Sequence, residues 1–186
     1  MLFRSVGVFT PKAINWATLA VVVKDCRQHL QARQIIIRWH PSMLEQPRLA
    51  QVLGDMTGVL ESSANAAVWE VALQCDWVIA DENSGVHLPV LKLGIPTLAV
   101  RHLGLYPESR SDLYGLVANG IVFPPVASIR DVSADALASF FSAGWPERFQ
   151  AYDAGYLRPD AGIGGDVQRA VLRLCEDPAS RNSCLT

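Results

Sequence analysis

The chain has 186 residues, of which 50% are hydrophobic and 18% charged, and its formal net charge is -2. This composition is typical of a globular domain with a buried core, and it excludes an intrinsically disordered chain. A net charge near zero also excludes an overall basic surface, so we expect no nucleic-acid partner.

The first part of the chain alternates short aliphatic strands with helices. Strands are predicted at residues 5–9, 34–40, 58–62, 76–81 and 95–100. The predicted helices between them cover residues 13–30, 43–56, 65–75 and 84–94. This alternation favours a parallel sheet with helices on both faces.

The rest of the chain adds a sixth strand and two further helices. A loop after residue 100 leads to a strand at 120–124 and a helix at 133–143. The glycine-containing segment 149–165 is predicted to be irregular, and residues 166–177 are predicted to form an amphipathic closing helix. The fold class is therefore α/β. We predict one Rossmann-like domain over residues 1–186, with a mostly parallel six-stranded sheet.

The cysteines and the lack of long apolar runs bear on the compartment. None of the four cysteines (Cys26, Cys75, Cys175 and Cys184) forms a CxxC pair, and three lie in apolar contexts, which indicates reduced thiols. No signal peptide and no membrane-spanning run is evident. We therefore expect a cytoplasmic protein without a transmembrane segment.

Ligands of open α/β sheets bind outside the carboxyl ends of the strands. Four polar loops follow such strand ends. The candidate binding residues in them are Lys12, Arg38, His40, Glu82, Asn83, Ser84 and Gly85. The cationic side chains, the imidazole and the backbone N–H groups suit a phosphate, because they donate to its oxygens. The adjacent carboxylates Asp81 and Glu82 are expected instead as turn residues and acceptors of ribose hydroxyls.

Each of these signals also has an ordinary structural explanation. His40 precedes Pro41 and can simply mark the end of a strand, and Asn-Ser-Gly is a common turn with a cap. Gly85 allows close approach of the backbone to a ligand. Pro89 lies beyond the first turn of a helix capped by Ser84, so that helix either starts later or has an irregular first turn.

Several other kinds of site are absent from the sequence. No GxGxxG motif follows the first strand, no phosphate-binding GxxxxGK[ST] loop occurs, and no Gly-x-Ser-x-Gly elbow is present. The four histidines have no metal-ligand spacing. We therefore expect neither a metal nor a cofactor, and the residues alone assign no catalytic group.

The order of the motifs resembles the carboxyl-terminal, nucleotide-sugar-binding half of GT-B-type glycosyltransferases, in particular those of bacterial capsule and lipopolysaccharide synthesis. The shared segments are "IIIRWHPS", "QCDWVIADENSG" and "LKLGIPTLAV". The resemblance implies that His40, Ser84 and Gly85 bind the phosphate of a CMP-, UDP- or similar nucleotide-sugar. It also implies surface polysaccharide synthesis and a peripheral position at the inner membrane.

The chain departs from that family in two ways. Pro89 stands where many relatives have a ribose-binding Glu, and a chain of this length has room for one of the two GT-B halves. The half that carries the general base is missing, which implies an acceptor-binding partner domain or chain.

Two other functions remain open. The segment 83–108 also resembles the nucleotide half of non-hydrolysing UDP-N-acetylglucosamine 2-epimerases, with Arg101 and Pro107-Glu108 at comparable places. The paired Glu that should follow Ser-Gly in those enzymes is absent. A non-catalytic nucleotide- or partner-binding module is the third reading, because half of the expected enzyme is missing.

Overall fold

The computed structural model describes residues 5–43, 49–63, 65–105, 112, 114–142 and 144–156. The chain divides into two compact units, Met1–Pro146 and Glu147–Thr186. The sheet and the candidate residues all lie in the first unit. The predicted closing helix at 166–177 lies outside the described residues, and the single domain over residues 1–186 stays a prediction.

The first unit contains one six-stranded sheet in which every strand pair is parallel. Its strands are β1 (Ser5–Phe9), β2 (Gln34–Arg38), β3 (Val59–Glu61), β4 (Trp77–Asp81), β5 (Thr97–Val100) and β6 (Phe123–Val126). The strand order is β3-β2-β1-β4-β5-β6. This order reverses between β1 and β4 and is that of a Rossmann-like α/β fold, as the sequence predicted.

The strand sequences explain why the sheet is buried on both faces. In β2, residues Ile35, Ile36 and Ile37 are each no more than 4% exposed. Successive side chains of a strand point to opposite faces, so an unbroken aliphatic run needs cover on both. Gly7 in β1 gives a further constraint, because a Cβ there would lie 2.9 Å from the Cys75 Sγ atom.

Six α-helices lie in the described residues. They are α1 (Trp16–Gln28), α2 (Leu49–Leu53), α3 (Val68–Ala72), α4 (His87–Lys92), α5 (Ala134–Ser142) and α6 (Trp145–Tyr156). A 3-10 helix, Ile129–Asp131, precedes α5. The Ser133 hydroxyl caps α5 by accepting the Ala136 N–H at 3.1 Å.

Two hydrophobic clusters cover the two faces of the sheet. The larger contains Leu19 and Cys26 from α1 together with Ile35 and Ile37 from β2. The smaller contains side chains of α3, α4 and the opposite face of the sheet, namely Phe9, Ile36, Val71, Ala72, Cys75, Val78, Ala80 and Val90. Helices therefore lie on both faces of the sheet, as predicted.

Most predicted elements extend beyond the observed ones, and three of the differing boundaries have a local physical reason. Residues 149–156, predicted to be irregular, belong to α6. Pro146 and Glu147 favour the first turn of this helix, and Gly155 does not interrupt it because it lies at its end. β6 lies at 123–126 rather than 120–124. It tolerates Pro124 and Pro125 because it is an edge strand with a register irregularity. α1 begins at Trp16 rather than residue 13, because Ile14 bridges to Gly104.

Candidate functional site

A cavity of about 360 Å³ lies at the carboxyl ends of β1 and β2, beside the turn that leads into α4. Its lining residues are Phe9, Thr10, Arg38, His40, Pro41, Val68, Ser84, Gly85, Val86 and Pro89. This is the edge at which ligands of open α/β sheets bind, and it includes the topological switch point between β1 and β4.

Four of the seven predicted binding residues meet in this cavity. They are Arg38, His40, Ser84 and Gly85, which come from two segments far apart in the chain. Lys12, Glu82 and Asn83 are not among the lining residues. Lys12 is exposed, but its charge acts on His40. The carboxylate of Glu82 instead lies 3.9 Å from Arg101.

Arg38 forms the floor of the cavity and is 8% exposed. Its Nε and Nη2 atoms donate to the Ala66 carbonyl at 3.1 and 2.8 Å, and its Cζ lies 5.5 Å from the Phe9 ring centroid. No carboxylate pairs with Arg38 in the part of the chain that the structure describes. Burial lowers the pKa of this guanidinium, although arginine stays charged in proteins.

His40 follows the end of β2 and is held by three hydrogen bonds. Its Nδ1 atom accepts the Ser42 N–H at 3.0 Å, and its backbone N–H donates to the Thr10 hydroxyl at 3.1 Å. Its carbonyl accepts the Met43 N–H at 3.0 Å. Burial lowers the pKa of His40, and the charges of Arg38 and Lys12 lower it further.

The Ser84–Gly85 turn is held by the end of β4. The Ser84 N–H donates to the Asp81 carbonyl at 3.0 Å, and the Ser84 hydroxyl accepts the Val86 N–H at 3.3 Å. None of the described residues accepts the Gly85 N–H. Helix α4 starts later than the predicted residue 84, at His87. Pro89 therefore falls in its first turn, where the missing N–H breaks no helical bond.

His87, the first residue of α4, is fully buried beside this turn. Its Nε2 atom donates to the Asp81 carbonyl at 2.9 Å. Burial lowers the pKa of His87, so the ring is neutral near pH 7. Its buried Nδ1 atom has no hydrogen-bond partner among the described residues. His87 therefore stabilises the turn and is not one of the residues that line the cavity.

Asp81 connects the turn to the loop after β5. Its Oδ2 atom accepts the Gly104 N–H at 2.8 Å, and its Oδ1 atom accepts the Asn83 N–H at 3.4 Å. These bonds occupy the carboxylate of a residue that the sequence suggested as a ribose acceptor. Asn83 and Glu82 thus belong to the rim of the site, outside the cavity itself.

Sequence reasoning missed Thr10, which lines the cavity and joins two strands. Its N–H donates to the Arg38 carbonyl at 2.9 Å, its hydroxyl donates to the same carbonyl at 3.3 Å, and that hydroxyl also accepts from His40. A threonine after a strand carries no local signal for this role, because the partner strand is 28 residues away in sequence.

A second cavity, of about 370 Å³, lies between α1 and α2. Its Arg27 pairs with Asp55 at 3.2 Å and also donates to the Thr57 carbonyl. Arg27 therefore already has a carboxylate counter-ion, unlike Arg38. In the described part of the chain no three His, Cys, Asp or Glu side chains gather as metal ligands.

Comparison with known proteins shows similarity in fold but not in sequence family. No protein-family model matches the chain, and no curated protein matches it. The glycosyltransferase SnogD from Streptomyces nogalater matches 80% of this chain with a TM-score of 0.52 and 20% identity. The UDP-GlcNAc 2-epimerase from Neisseria meningitidis, solved with UDP-GlcNAc, matches with a TM-score of 0.46 and 13% identity.

These matches cover 80% of this chain but only 38% of either solved structure. The similarity to SnogD shows a fold shared with part of that glycosyltransferase. No helix among the described residues is long and apolar enough to cross a membrane. The chain therefore has a Rossmann-like fold of the kind that a glycosyltransferase contains.

Proposed function

We propose that this chain binds the phosphate of a nucleotide-sugar in the Arg38 cavity, as the donor-binding half of a GT-B-type glycosyltransferase. The observation that carries the proposal is the buried Arg38 side chain, which has no carboxylate partner among the described residues. Burying a charge without a counter-ion is costly, and a bound anion removes that cost.

The rest of the cavity is suited to the same anion. The lining contains no acidic residue, and Lys12 adds a second positive charge near His40. The Gly85 N–H and the His40 ring are further donors at this edge. When a glycosidic bond to phosphate breaks, negative charge builds on the leaving phosphate, and fixed donors and cations stabilise it.

The walls of the cavity favour an organic phosphate over a free inorganic ion. Phe9, Val68 and Pro89 give an apolar surface next to the cationic floor. A volume of about 360 Å³ is at the low end for small-molecule sites, which suits a phosphate with part of its nucleotide. The fold shared with a glycosyltransferase and the order of the sequence motifs favour a nucleotide-sugar within this class.

The chain covers 38% of the solved structures that it matches, so transfer to an acceptor requires a partner half. The proposal leaves the general base to that partner. Nothing in the described residues favours the epimerase reading, because Arg101 lies against Glu82 and Pro107-Glu108 is outside the described residues. The role in surface polysaccharide synthesis, the cytoplasmic location and the peripheral position at the inner membrane stay proposals.

The proposal is tested by a thermal-shift screen with CMP, CDP, UDP, GDP and ADP, followed by calorimetric titration of the best ligand. A ligand at about 100 times its Kd stabilises the folded state by roughly 2.7 kcal/mol, which raises the melting temperature by several degrees. We expect a shift with one nucleotide class. Arg38→Met should reduce the affinity at least tenfold, because it removes the positive charge and keeps the length of the side chain.

The matched control is Lys24→Gln, which removes one positive charge at the cavity between α1 and α2. We expect this variant to bind the nucleotide as the natural chain does. If no nucleotide binds, or if both variants lose affinity to the same extent, the Arg38 cavity is not a donor site. A nucleotide bound without any transfer after a partner half is supplied would favour the non-catalytic module.

A further inference from the structure

We propose that His40 binds the anion as a neutral imidazole that donates its Nε2–H, and that it stays neutral when the anion is bound. This inference rests on the proposed function, since it concerns the same cavity. It specifies which proton the site uses and how the site responds to pH. It also assigns a role to the Ser42 backbone, which the sequence did not suggest.

The protonation state follows from one contact. The Ser42 N–H points at His40 Nδ1, with 3.0 Å between the two nitrogens. A backbone N–H group can only donate, so Nδ1 must be unprotonated and accept with its lone pair. A neutral ring then carries its single proton on Nε2, which is the tautomer that donates to an anion. Protonating Nδ1 would break the bond to Ser42 and leave two N–H groups facing each other.

The charges around His40 oppose a second proton as well. Lys12 approaches it from the loop after β1, and Arg38 lies beside it at the end of β2. The side chains that line the cavity from α3, α4 and the turn before α4 are Val68, Ser84, Val86 and Pro89, none of which carries a charge. An imidazolium would therefore be a third cation in a site where no described residue provides a carboxylate.

The backbone that carries the His40 ring is also fixed in position. The backbone N–H of His40 donates to the Thr10 hydroxyl, and the backbone carbonyl of His40 accepts the Met43 N–H. Thr10 is 6% exposed, so the anchor of His40 is itself buried. A donor held in this way loses little freedom when an anion binds. The positive charge at the site comes from Arg38 and Lys12, whereas His40 provides a neutral hydrogen-bond donor in a fixed position.

The pH dependence of anion binding follows from this assignment. A neutral donor gives an affinity that does not change as the pH rises through the usual range of a histidine. A donor that must be charged gives an affinity that is full below its pKa and falls up to tenfold per pH unit above it. Sulfate is a suitable probe, because its own charge stays constant between about pH 5.5 and 8.5, unlike that of phosphate.

The first experiment needs no ligand. Long-range ¹H–¹⁵N spectra of the free chain near neutral pH report the protonation of each imidazole nitrogen, and His40→Gln assigns the His40 signals among the four histidines. We expect an unprotonated Nδ1 and a protonated Nε2. A proton on Nδ1, alone or together with Nε2, would overturn the proposal even if the cavity binds nucleotides.

The second experiment measures the sulfate affinity of three proteins across about pH 5.5 to 8.5 by NMR titration. We expect the affinity of the natural chain to change less than about threefold across this range. His40→Gln should stay within about threefold of it, since the glutamine amide offers a neutral donor in a similar place. His40→Ala should lose about tenfold, the worth of one hydrogen bond to a charged group.

The outcomes separate the two proposals. A sulfate affinity that falls tenfold between pH 6 and 7 and between pH 7 and 8, or a His40→Gln variant as weak as His40→Ala, would overturn the neutral donor. Failure of the natural chain to bind sulfate or any nucleotide would overturn the proposed function. The spectrum of the free chain still decides the protonation of His40 in that case.

Discussion

Thr10 follows the end of β1 and contacts both Arg38 and His40 at the end of β2. Its hydroxyl donates to the Arg38 carbonyl at 3.3 Å and accepts the His40 N–H at 3.1 Å. Thr10 is 6% exposed, so water cannot easily take the place of its hydroxyl as the hydrogen-bond partner of Arg38 and His40. The positions of Arg38 and His40 are therefore coupled through one hydroxyl group.

Replacing Thr10 by valine should separate this role from simple packing. Valine has nearly the same shape, but it leaves the His40 N–H without its acceptor, which costs about 1–2 kcal/mol of stability. We expect the anion affinity to fall about tenfold, because His40 loses its anchor. The measurements are urea unfolding and titration with sulfate or with the nucleotide found in the screen.

The matched variant is Thr10→Ser, which keeps the hydroxyl and loses a methyl group. It should bind the anion as the natural chain does, although its stability can fall by about 1 kcal/mol through the lost methyl group. Equal anion affinity of the valine and serine variants would show that the hydroxyl does not position His40.

A tyrosine side chain leaves little space beside Gly85. A Cβ at this position would lie 3.0 Å from the Tyr114 Oη atom and 3.5 Å from its Cζ atom. Gly85→Ala therefore has to displace either the turn or the tyrosine ring by a few tenths of an ångström. We expect an anion affinity roughly three- to tenfold weaker, because the Gly85 N–H moves with the turn.

Removing the nearest atom should restore the site. In the double variant Gly85→Ala, Tyr114→Phe the closest remaining atom is about 3.5 Å away, an ordinary contact. We expect most of the affinity to return, and Tyr114→Phe alone to bind nearly as the natural chain does. Non-additivity of this kind is what a double-mutant cycle measures. Without any rescue, the cost of the alanine would have to come from the backbone of the turn.

At the scale of the elements, α1 is fixed to the segment before α5 by a buried carboxylate. Asp25 is 1% exposed, and its Oδ1 atom lies 2.8 Å from both Nε and Nη2 of Arg130. Its Oδ2 atom accepts the Ser128 hydroxyl at 3.3 Å. The two elements are more than 100 residues apart in the chain, so this cluster closes a long loop.

Arg130→Ala should destabilise the fold because it leaves a buried charge without a partner. Breaking a fully buried ion pair costs about 3–5 kcal/mol, and the half-exposed Arg130 side chain places this case nearer 2 kcal/mol. Asp25→Asn in the Arg130→Ala background should recover part of the loss, since it removes that charge. Urea unfolding of the three variants checks this, and a loss below about 0.5 kcal/mol for Arg130→Ala would contradict it.

The contact between Asp25 and Arg130 is one that the sequence alone does not predict. Aliphatic runs such as Ile35–Ile37 predicted the four inner strands β2, β1, β4 and β5, because burial on both faces requires that pattern. Asp25, in contrast, lies in a helix whose sequence gives no sign of Arg130. The helix at Trp145–Tyr156 was missed because Gly155 and its neighbours dominated the local pattern.

The candidate site was predicted to a similar extent. Arg38, His40, Ser84 and Gly85 come together because strand ends in a parallel sheet share one edge, which topology alone implies. The roles of Thr10, Ser42 and Tyr114 depend on contacts between segments, and spacing cannot reveal these. The exclusion of Glu82 likewise depends on where the loop after β5 brings Arg101.

At the scale of the whole sheet-containing unit, the two faces are covered unequally. One face is covered by α1, with its 13 residues, and by further helices. The other is covered by α3 and α4, which have five and six residues. Short helices with few buried side chains open at a lower free energy than a large core does. The Ser84–Gly85 turn leads directly into this thinner layer.

Each layer contains one buried thiol that can report its opening. Cys26 is fully buried in the larger cluster, and Cys75 is 8% exposed in the smaller one. Burial raises the pKa of the Cys75 thiol to about 12, and it raises the pKa of Cys26 as well. Both thiols are therefore almost entirely protonated near pH 8 and react with an alkylating agent only after an opening that returns their pKa to the usual range.

Two single-thiol variants, which keep either Cys26 or Cys75 and carry alanine at the other cysteines, should differ in their alkylation rates. We expect Cys75 to react with an opening free energy at least about 1 kcal/mol below that of Cys26, because the α3–α4 layer opens without the rest of the sheet. The measurement is the alkylation rate in increasing urea, with the unfolding midpoint of each variant as the control for the alanine substitutions. Equal opening free energies and equal urea slopes would mean that both layers unfold together, and the cavity would then be as rigid as the centre of the sheet.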